Sequence, residues 1–324
     1  MRHIFIVNPT AGKKNLYKRI VGEIQLYFLE NAGSHRVYIT EHPKHGQELA
    51  RDEAARGGDV RIYSVGGDGS LHDVINGSFG WPNVEVGVIP VGSGNDFVEY
   101  FHDTSRFFDI EGQVKGSSID IDLIKLGDNY SINQCCMGMD AEVAANMYRF
   151  KSLPLVSGSL SYILALFYGF FKNINNHFTV QIDDAEPIEM DFLFAIAANA
   201  SHYGGGFKSA PDARINDGLI DCVLIKSMSR LKILRLLSAY RKGKLVNMPE
   251  ICRVIKGTRM TVRSEREATV AMDGEISRHK YAQFELIKRG ARLILPRYVT
   301  AKDPKKAKPD PAIVLPTASC DMKP

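Results

Sequence analysis

Apolar positions in the first hundred residues follow two rhythms. Compact apolar runs at 3–7, 36–40, 60–65 and 84–89 predict strands. Between them, residues 14–31 place Leu16, Ile20, Ile24 and Phe28 four apart, the stripe of a helix. Residues 46–56 and the stretch from Leu71 predict two more helices. Alternating β and α elements imply a parallel sheet with helices on both faces. Ligands of such sheets bind at the loops after the carboxyl ends of the strands. Three glycine-bearing turns follow strands here and are expected at one end of the sheet: Asn8 to Gly12, Gly66 to Ser70 and Gly92 to Asn95.

After about residue 120 short strand patterns dominate, at 120–126, 130–135, 178–182, 192–198, 219–225, 260–262, 268–271 and 284–287. Helical patterns interrupt them at 160–171 and 231–240. A second, mostly antiparallel β domain is the expectation. From Ala301 a proline-bearing tail reads as irregular.

The chain has 324 residues, 44% hydrophobic and 24% charged, which suits two globular domains without disulfides. Its five Cys are irregularly spaced and form no C-x-x-C, so neither a disulfide framework nor a zinc site is expected. Reduced thiols fit a cytoplasmic protein. The N-terminal apolar run is too short for a signal peptide. Residues 152–171 carry no charge, but their dense apolar part, 160–171, falls short of the ~20 residues a span needs; a buried or interfacial helix is expected. Net charge is only +4, yet residues 226–266 hold 12 Lys and Arg against Glu250 and Glu265. Such a block suits an anionic membrane, a nucleic acid or a solvated basic face.

Gly66-Gly67-Asp68-Gly69-Ser70 carries the strongest local signal. Three glycines in four positions are costly unless the backbone bends sharply or something approaches it closely. An Asp inside a phosphate cradle needs a cation between them, which points to a nucleotide with Mg²⁺. No Gly-Lys-Ser/Thr follows, so this is not a Walker A loop, and G-x-G-x-x-G does not fit either. Asn8-Pro9-Thr10-Ala11-Gly12-Lys13 can bring amides to phosphate ahead of a helix N-terminus, or can be a plain turn. Ser93 can donate to a phosphate. Asp273-Gly274-Glu275 suits general-base work on a hydroxyl and equally suits a hairpin corner. The loop from Gly204 to Leu219 can hold a hard cation or be a simple turn. G-x-S-x-G and H-E-x-x-H are absent, which argues against these hydrolase chemistries.

Together these segments resemble the catalytic domain of the soluble diacylglycerol kinases, a family that includes bacterial lipid kinases and, more distantly, sphingosine and ceramide kinases. NAD kinase and phosphofructokinase share the glycine–aspartate loop. The resemblance spans about residues 1–298. It rests on the segments above together with Pro90 to Phe97, Gly138-Met139-Asp140-Ala141-Glu142, Gly204-Gly205-Gly206-Phe207, Ala210-Pro211-Asp212-Ala213 and Asp217-Gly218-Leu219. It implies a nucleotide-binding α/β domain at 1–122 and an antiparallel β-sandwich at 123–295. Residues 296–316 would return to the first domain, 317–324 would form an irregular tail, and the active site would lie in the interdomain cleft. It implies ATP bound by Asn8, Pro9, Thr10, Ala11, Gly12, Thr40, Gly66, Gly67, Asp68, Gly69, Ser70, Leu71, His72 and Ser93. Asp68 would position Mg²⁺ and phosphate. Glu275 would be the base, with Asp273 close behind. A structural Mg²⁺ would be held by Asp217 and the carbonyls of Arg214 and Leu219. Ser70 and Ser93 stand where the family often has Thr, His72 replaces a frequent Asn, and Glu99 sits where a basic residue is common. The implied activity is ATP-dependent phosphorylation of a diacylglycerol-like lipid at an anionic membrane surface. The basic block would dock, residues 160–171 would shelter acyl chains, and Ser229 would cap the helix after it. A nucleic-acid partner is not expected, and homodimer formation is left open. The rival readings are a kinase of a soluble acceptor such as NAD and a non-catalytic nucleotide or lipid binder; the retained Asp68, Asp273 and Glu275 argue against the second.

Overall fold

The computed structural model describes residues 1–13, 15–138 and 176–300. The first half alternates β1 (Arg2–Val7), α1 (Leu16–Glu30), β2 (Ser34–Ile39), α2 (His45–Ala55), β3 (Val60–Gly66), α3 (Asp68–Ser78) and β4 (Val84–Pro90). The strands pair in parallel in the order β2-β1-β3-β4. Both faces are covered. On one, Ile4, Ile6 and Ile62 pack against Ala50 and Ala54 of α2 and Leu71, Val74 and Ile75 of α3. On the other, Phe5, Val7, Tyr63 and Val65 meet Ile20 and Ile24 of α1. Burial on both faces explains why these strands read as continuous apolar runs. Helix α3 starts at Asp68, three residues ahead of the apolar periodicity, because the two glycines end β3 and an acid favours the helix's positive end.

The second half comprises α4 (Ile110–Val114), β5 (Ser117–Leu126), β6 (Asn129–Ser131), β7 (Gln134–Gly138), β8 (Asn176–Ile182), β9 (Ile188–Ala198), β10 (Ile220–Lys226), α5 (Arg230–Arg241), β11 (Cys252–Gly257), β12 (Arg259–Met272) and β13 (Glu275–Leu295). The two patterns expected at 260–262 and 268–271 are one strand, β12. Its register shifts between Arg263 and Ala268, which hides the continuity. Through that irregularity β12 changes partner, from β8 at 260–264 to β7 at 270–272. Strand β9 pairs with the same two strands. The four strands thus close a ring around Met137, Phe178, Val180, Phe192, Val262 and Val270, a sandwich-like core. The face of β9 carrying Phe194, Ile196 and Ala198 is covered by Ile233 and Tyr240 of α5.

β13 is 21 residues long where only 284–287 was expected. Its first part pairs with β12; its last residues pair with β5 and, at Leu293, lie parallel to β4. Asp122 braces this crossing by accepting the amides of Gly218 (2.8 Å) and Arg289 (2.9 Å). Just beyond β13, Val299 packs with Phe97, Val98 and Phe101. Ser229 occupies the N-cap position of α5, but its side chain makes no capping hydrogen bond. Cys135, Cys136, Cys222 and Cys252 are buried free thiols. Among the described residues no helix is long and apolar enough to cross a membrane. The expected helix at 160–171, the Met139-to-Glu142 segment and the tail from residue 301 lie outside the described residues.

Candidate active site

The turns after β1, β3 and β4 are bonded to one another. The Asn8 amide donates to the Val65 carbonyl (2.9 Å) and the Gly92 amide to that of Gly66 (3.1 Å). Asn8 Nδ2 donates to Ser70 Oγ (3.1 Å), and Asn8 Oδ1 accepts the amide and hydroxyl of Thr10 (3.0 and 2.8 Å). Glycine is required at two of the joints. A Cβ on Gly12, whose φ is +64°, would stand 1.8 Å from the Val91 carbonyl oxygen. One on Gly92 would stand 2.4 Å from Gly67 Cα. Gly67 caps α3 with no side-chain bond, so the first-turn amides at the helix's positive end lack a side-chain acceptor, an arrangement suited to an anion. Asn95 Oδ1 is buried in the same junction without a hydrogen-bond partner among the described residues; as an acceptor it calls for a donor or a cation. The glycine joints and the open helix end fit a nucleotide's phosphates.

Thr10, Gly12, Gly69 and Ser93 are exposed at this junction, while Pro9, Ala11, Gly67, Ser70 and Thr40 are partly exposed. Thr40 follows β2 and donates its amide to Val7 (2.9 Å). Leu71 is different: its side chain is buried in the core, leaving only backbone for a ligand. His72 is also buried, and its Nδ1 faces Asp273 Oδ2 at 3.1 Å.

That contact brings the far end of the chain to α3. Asp273 and Gly274 have φ of +50° and +96° and form the two-residue corner of the β12–β13 hairpin. The Asp273 carboxylate is fully engaged. Oδ1 accepts the Ser131 hydroxyl (2.5 Å) and the amides of Asn133 and Gln134 (3.1 Å each). Oδ2 accepts the Ile132 amide (3.1 Å) besides His72. Glu275 is placed otherwise. Its side chain is 45% exposed, and Oε1 lies 3.9 Å from where a Cβ on Gly69 would stand. Lys44 Nζ is 3.7 Å from Glu275 Oε2 and 3.5 Å from Asp73 Oδ1.

A second acidic pair lies deeper. Asp68 Oδ1 accepts the Phe97 amide (3.2 Å), and Asp96 accepts the amides of Gly205 (2.9 Å) and Gly206 (2.8 Å). Asp68 keeps some open surface at the turns, yet the protein packed around its carboxyl pushes its pKa up, with Asp273's charge adding to the effect. Burial first, then the Asp68 charge, pushes Asp96 up to about 7 against the two glycine amides. Two enclosed carboxylates that repel each other suit a divalent cation, because its charge would relieve both.

Sequence reasoning did not single out Asp96, Lys44 or Asp73. Asp96 stood in a quoted motif, where an acid among glycines was the available signal. Lys44 and Asp73 belong to no spacing pattern, and only the fold brings them to Glu275.

Of the residues expected to hold a structural cation, Asp217 already faces an ammonium. Asp217 Oδ1 accepts the Leu219 amide (3.1 Å), and Lys256 Nζ stands 3.2 Å from Asp217 Oδ2 and 3.1 Å from Asp221 Oδ2. Burial opposes the Lys256 charge, but the two carboxylates outweigh it and hold its pKa above the usual value. An ammonium already neutralises the carboxylate that Arg214 and Leu219 would share with Mg²⁺.

Residues 2–126 match the diacylglycerol kinase catalytic domain, and residues 133–294, half of the chain, match the YegS C-terminal NAD kinase beta sandwich-like domain. A diacylglycerol kinase of Staphylococcus carnosus is 26% identical, the alignment covering 91% of this chain and 95% of that one. A diacylglycerol kinase of Bacillus subtilis is 25% identical over 90% and 95%. A crystal structure titled as a diacylglycerol kinase from Bacillus anthracis superposes with TM-score 0.66 over 92% of this chain and 98% of that one; at 15% identity it supports the fold alone. With both domain families matched in order, and a glycine–aspartate loop joined to an acidic hairpin, the chain belongs to the bacterial diacylglycerol kinase-like family of lipid kinases.

Proposed function

We propose that the chain transfers the γ-phosphate of ATP to the hydroxyl of a diacylglycerol-like lipid, producing a phosphatidic acid. The carrying observation is that Glu275, from the second domain, lies over Gly69 in the first turn of α3. A carboxylate held there stands between the phosphate-binding turns and an acceptor approaching from the second domain.

The turns of Asn8 to Gly12, Gly66 to Ser70 and Gly92 to Asn95 would hold the triphosphate through amides and the hydroxyls of Thr10, Ser70 and Ser93. Asp68 and Asp96 would hold Mg²⁺, which when bound supplies positive charge against the phosphates. Glu275 would accept the proton of the lipid hydroxyl as its oxygen bonds to phosphorus and ADP departs. Lys44 would orient Glu275. Asp273, saturated with donors, would position His72 and the hairpin rather than take a proton. Most of the acceleration would come from alignment and fixed charge.

The test is incubation of the full chain with labelled ATP and Mg²⁺, offering mixed micelles of diacylglycerol or ceramide, or NAD in solution. Labelled phosphatidic acid is expected. Label on NAD alone would move the reading to a soluble acceptor, and no labelled product would remove it.

A further inference from the structure

Helix α5 carries two apolar faces. Ile233 and Tyr240 are buried, and Leu236 and Leu237 are half-buried, on the sandwich side. Opposite them Leu231 and Leu234 are 59% and 44% exposed. At ~100° per residue these two leucines share the outward arc with Arg235, Ser238 and Lys242. Arg230, Lys232, Arg241 and Lys244 are exposed around them. From residue 227 to 249 the sequence holds no Asp or Glu. An exposed leucine pair framed by cations, on a segment that itself carries no acid, is complementary to an anionic surface with an apolar interior. It is unsuited to face a second copy of itself, because the two basic fields would repel.

The helix is also wired to the site. The Lys208 amide donates to the Arg241 carbonyl (3.3 Å), the hydroxyls of Tyr203 and Tyr240 bond, and the Phe207 and Tyr240 rings lie 5.4 Å apart. Between Tyr203 and Phe207, Gly205 and Gly206 donate to Asp96. The basic helix therefore anchors the loop that clasps one of the two enclosed carboxylates.

We infer that α5 is the docking element of this protein, lying on an anionic lipid surface with Leu231 and Leu234 in the headgroup–acyl boundary and the lysines and arginines on the phosphates. The inference gains its purpose from the proposed lipid acceptor, but its test does not depend on it. The full chain is sedimented with vesicles of phosphatidylglycerol and phosphatidylcholine, or of phosphatidylcholine alone. Wild type is expected to bind anionic vesicles at least about tenfold better, with the preference falling as salt rises. Leu231→Gln with Leu234→Gln should reduce that binding roughly tenfold, and Arg235→Glu should weaken it and flatten its salt dependence. Both variants change exposed positions, so unfolding midpoints and phosphorylation of a short-chain, water-soluble diacylglycerol should stay at wild-type values. Equal vesicle binding by wild type and the double leucine variant overturns the inference, as does binding indifferent to lipid charge. So does a dimer that the leucine changes dissociate, since the face would then hold a second copy. Wild type that binds anionic vesicles through these leucines yet labels no lipid would retain the docking helix and remove only the proposed acceptor.

Discussion

Exchanging one oxygen for nitrogen at Asp273 and at Glu275 should have opposite consequences. Asp273→Asn keeps shape and tolerates the left-handed backbone, since Asn adopts positive φ readily. It cannot keep the hydrogen bonds. Five donors converge on the carboxylate, two of them, the Ile132 amide and His72, on Oδ2. An amide nitrogen on that side sets a donor against the Ile132 amide, while His72 can answer it by changing tautomer. At about 1.5–3 kcal/mol per bond to a charged group, losing that bond costs about 1.5–3 kcal/mol. That is a large share of the roughly 5–15 kcal/mol by which most domains are stable. Glu275→Gln, on a half-exposed side chain, should shift stability by under about 0.5 kcal/mol. Its turnover should nevertheless fall roughly a hundred- to ten-thousand-fold, the range for a lost general base. Urea unfolding reports the first effect, and phosphorylation of diacylglycerol in mixed micelles the second. An Asp273→Asn protein that is stable and dead, beside an active Glu275→Gln, would refute the assignment and make Asp273 the base.

Three further outcomes follow from the geometry. Gly12→Ala, with its Cβ driven into the Val91 carbonyl, should raise the KM for ATP more than it lowers kcat on lipid, as read from initial rates. Asp96 binds its proton more tightly folded than unfolded, so its stabilising contribution is complete below about pH 4 and lost as pH rises through about 7. Over that window the loss is on the order of 4 kcal/mol, and Asp96→Asn should flatten the wild-type decline in urea stability between pH 5 and 8. Lys256→Met should lower the urea unfolding midpoint, because Asp217 and Asp221 then face each other without the ammonium between them.

The first domain was legible because its strands are buried on both faces and its helices carry clean stripes, so each element announces itself locally. Glycine turns after those strands were legible for a similar reason: their backbone demands leave few residue choices. Sandwich strands were harder. β12 carries Arg263, Ser264, Glu265 and Arg266 where it bends between partners, and that polar stretch breaks the apolar alternation. β11, an edge strand with Arg253 and Val254 in the open, has too little buried face to show a period. Roles within the acidic hairpin were beyond any pattern. Asp273 and Glu275 sit two apart and look alike in sequence, and only the donors around each tell a scaffold from an available base. Lys256 was silent too, since its partner Asp221 lies directly across from it in a neighbouring strand 35 positions away.

The reach of β13 has a consequence for how the protein is made. Residues 291–295, which pair with β5 and, at Leu293, with β4, leave the ribosome only after every strand of the N-terminal half. Until they emerge, the nascent N-terminal half presents an unpaired sheet margin in a crowded cell, a ready template for the wrong neighbour. Premature termination anywhere before position 291 therefore removes more than the sandwich: it strands the nucleotide-binding half with an open seam. Such fragments should be substrates for chaperones and proteases rather than independent folding units.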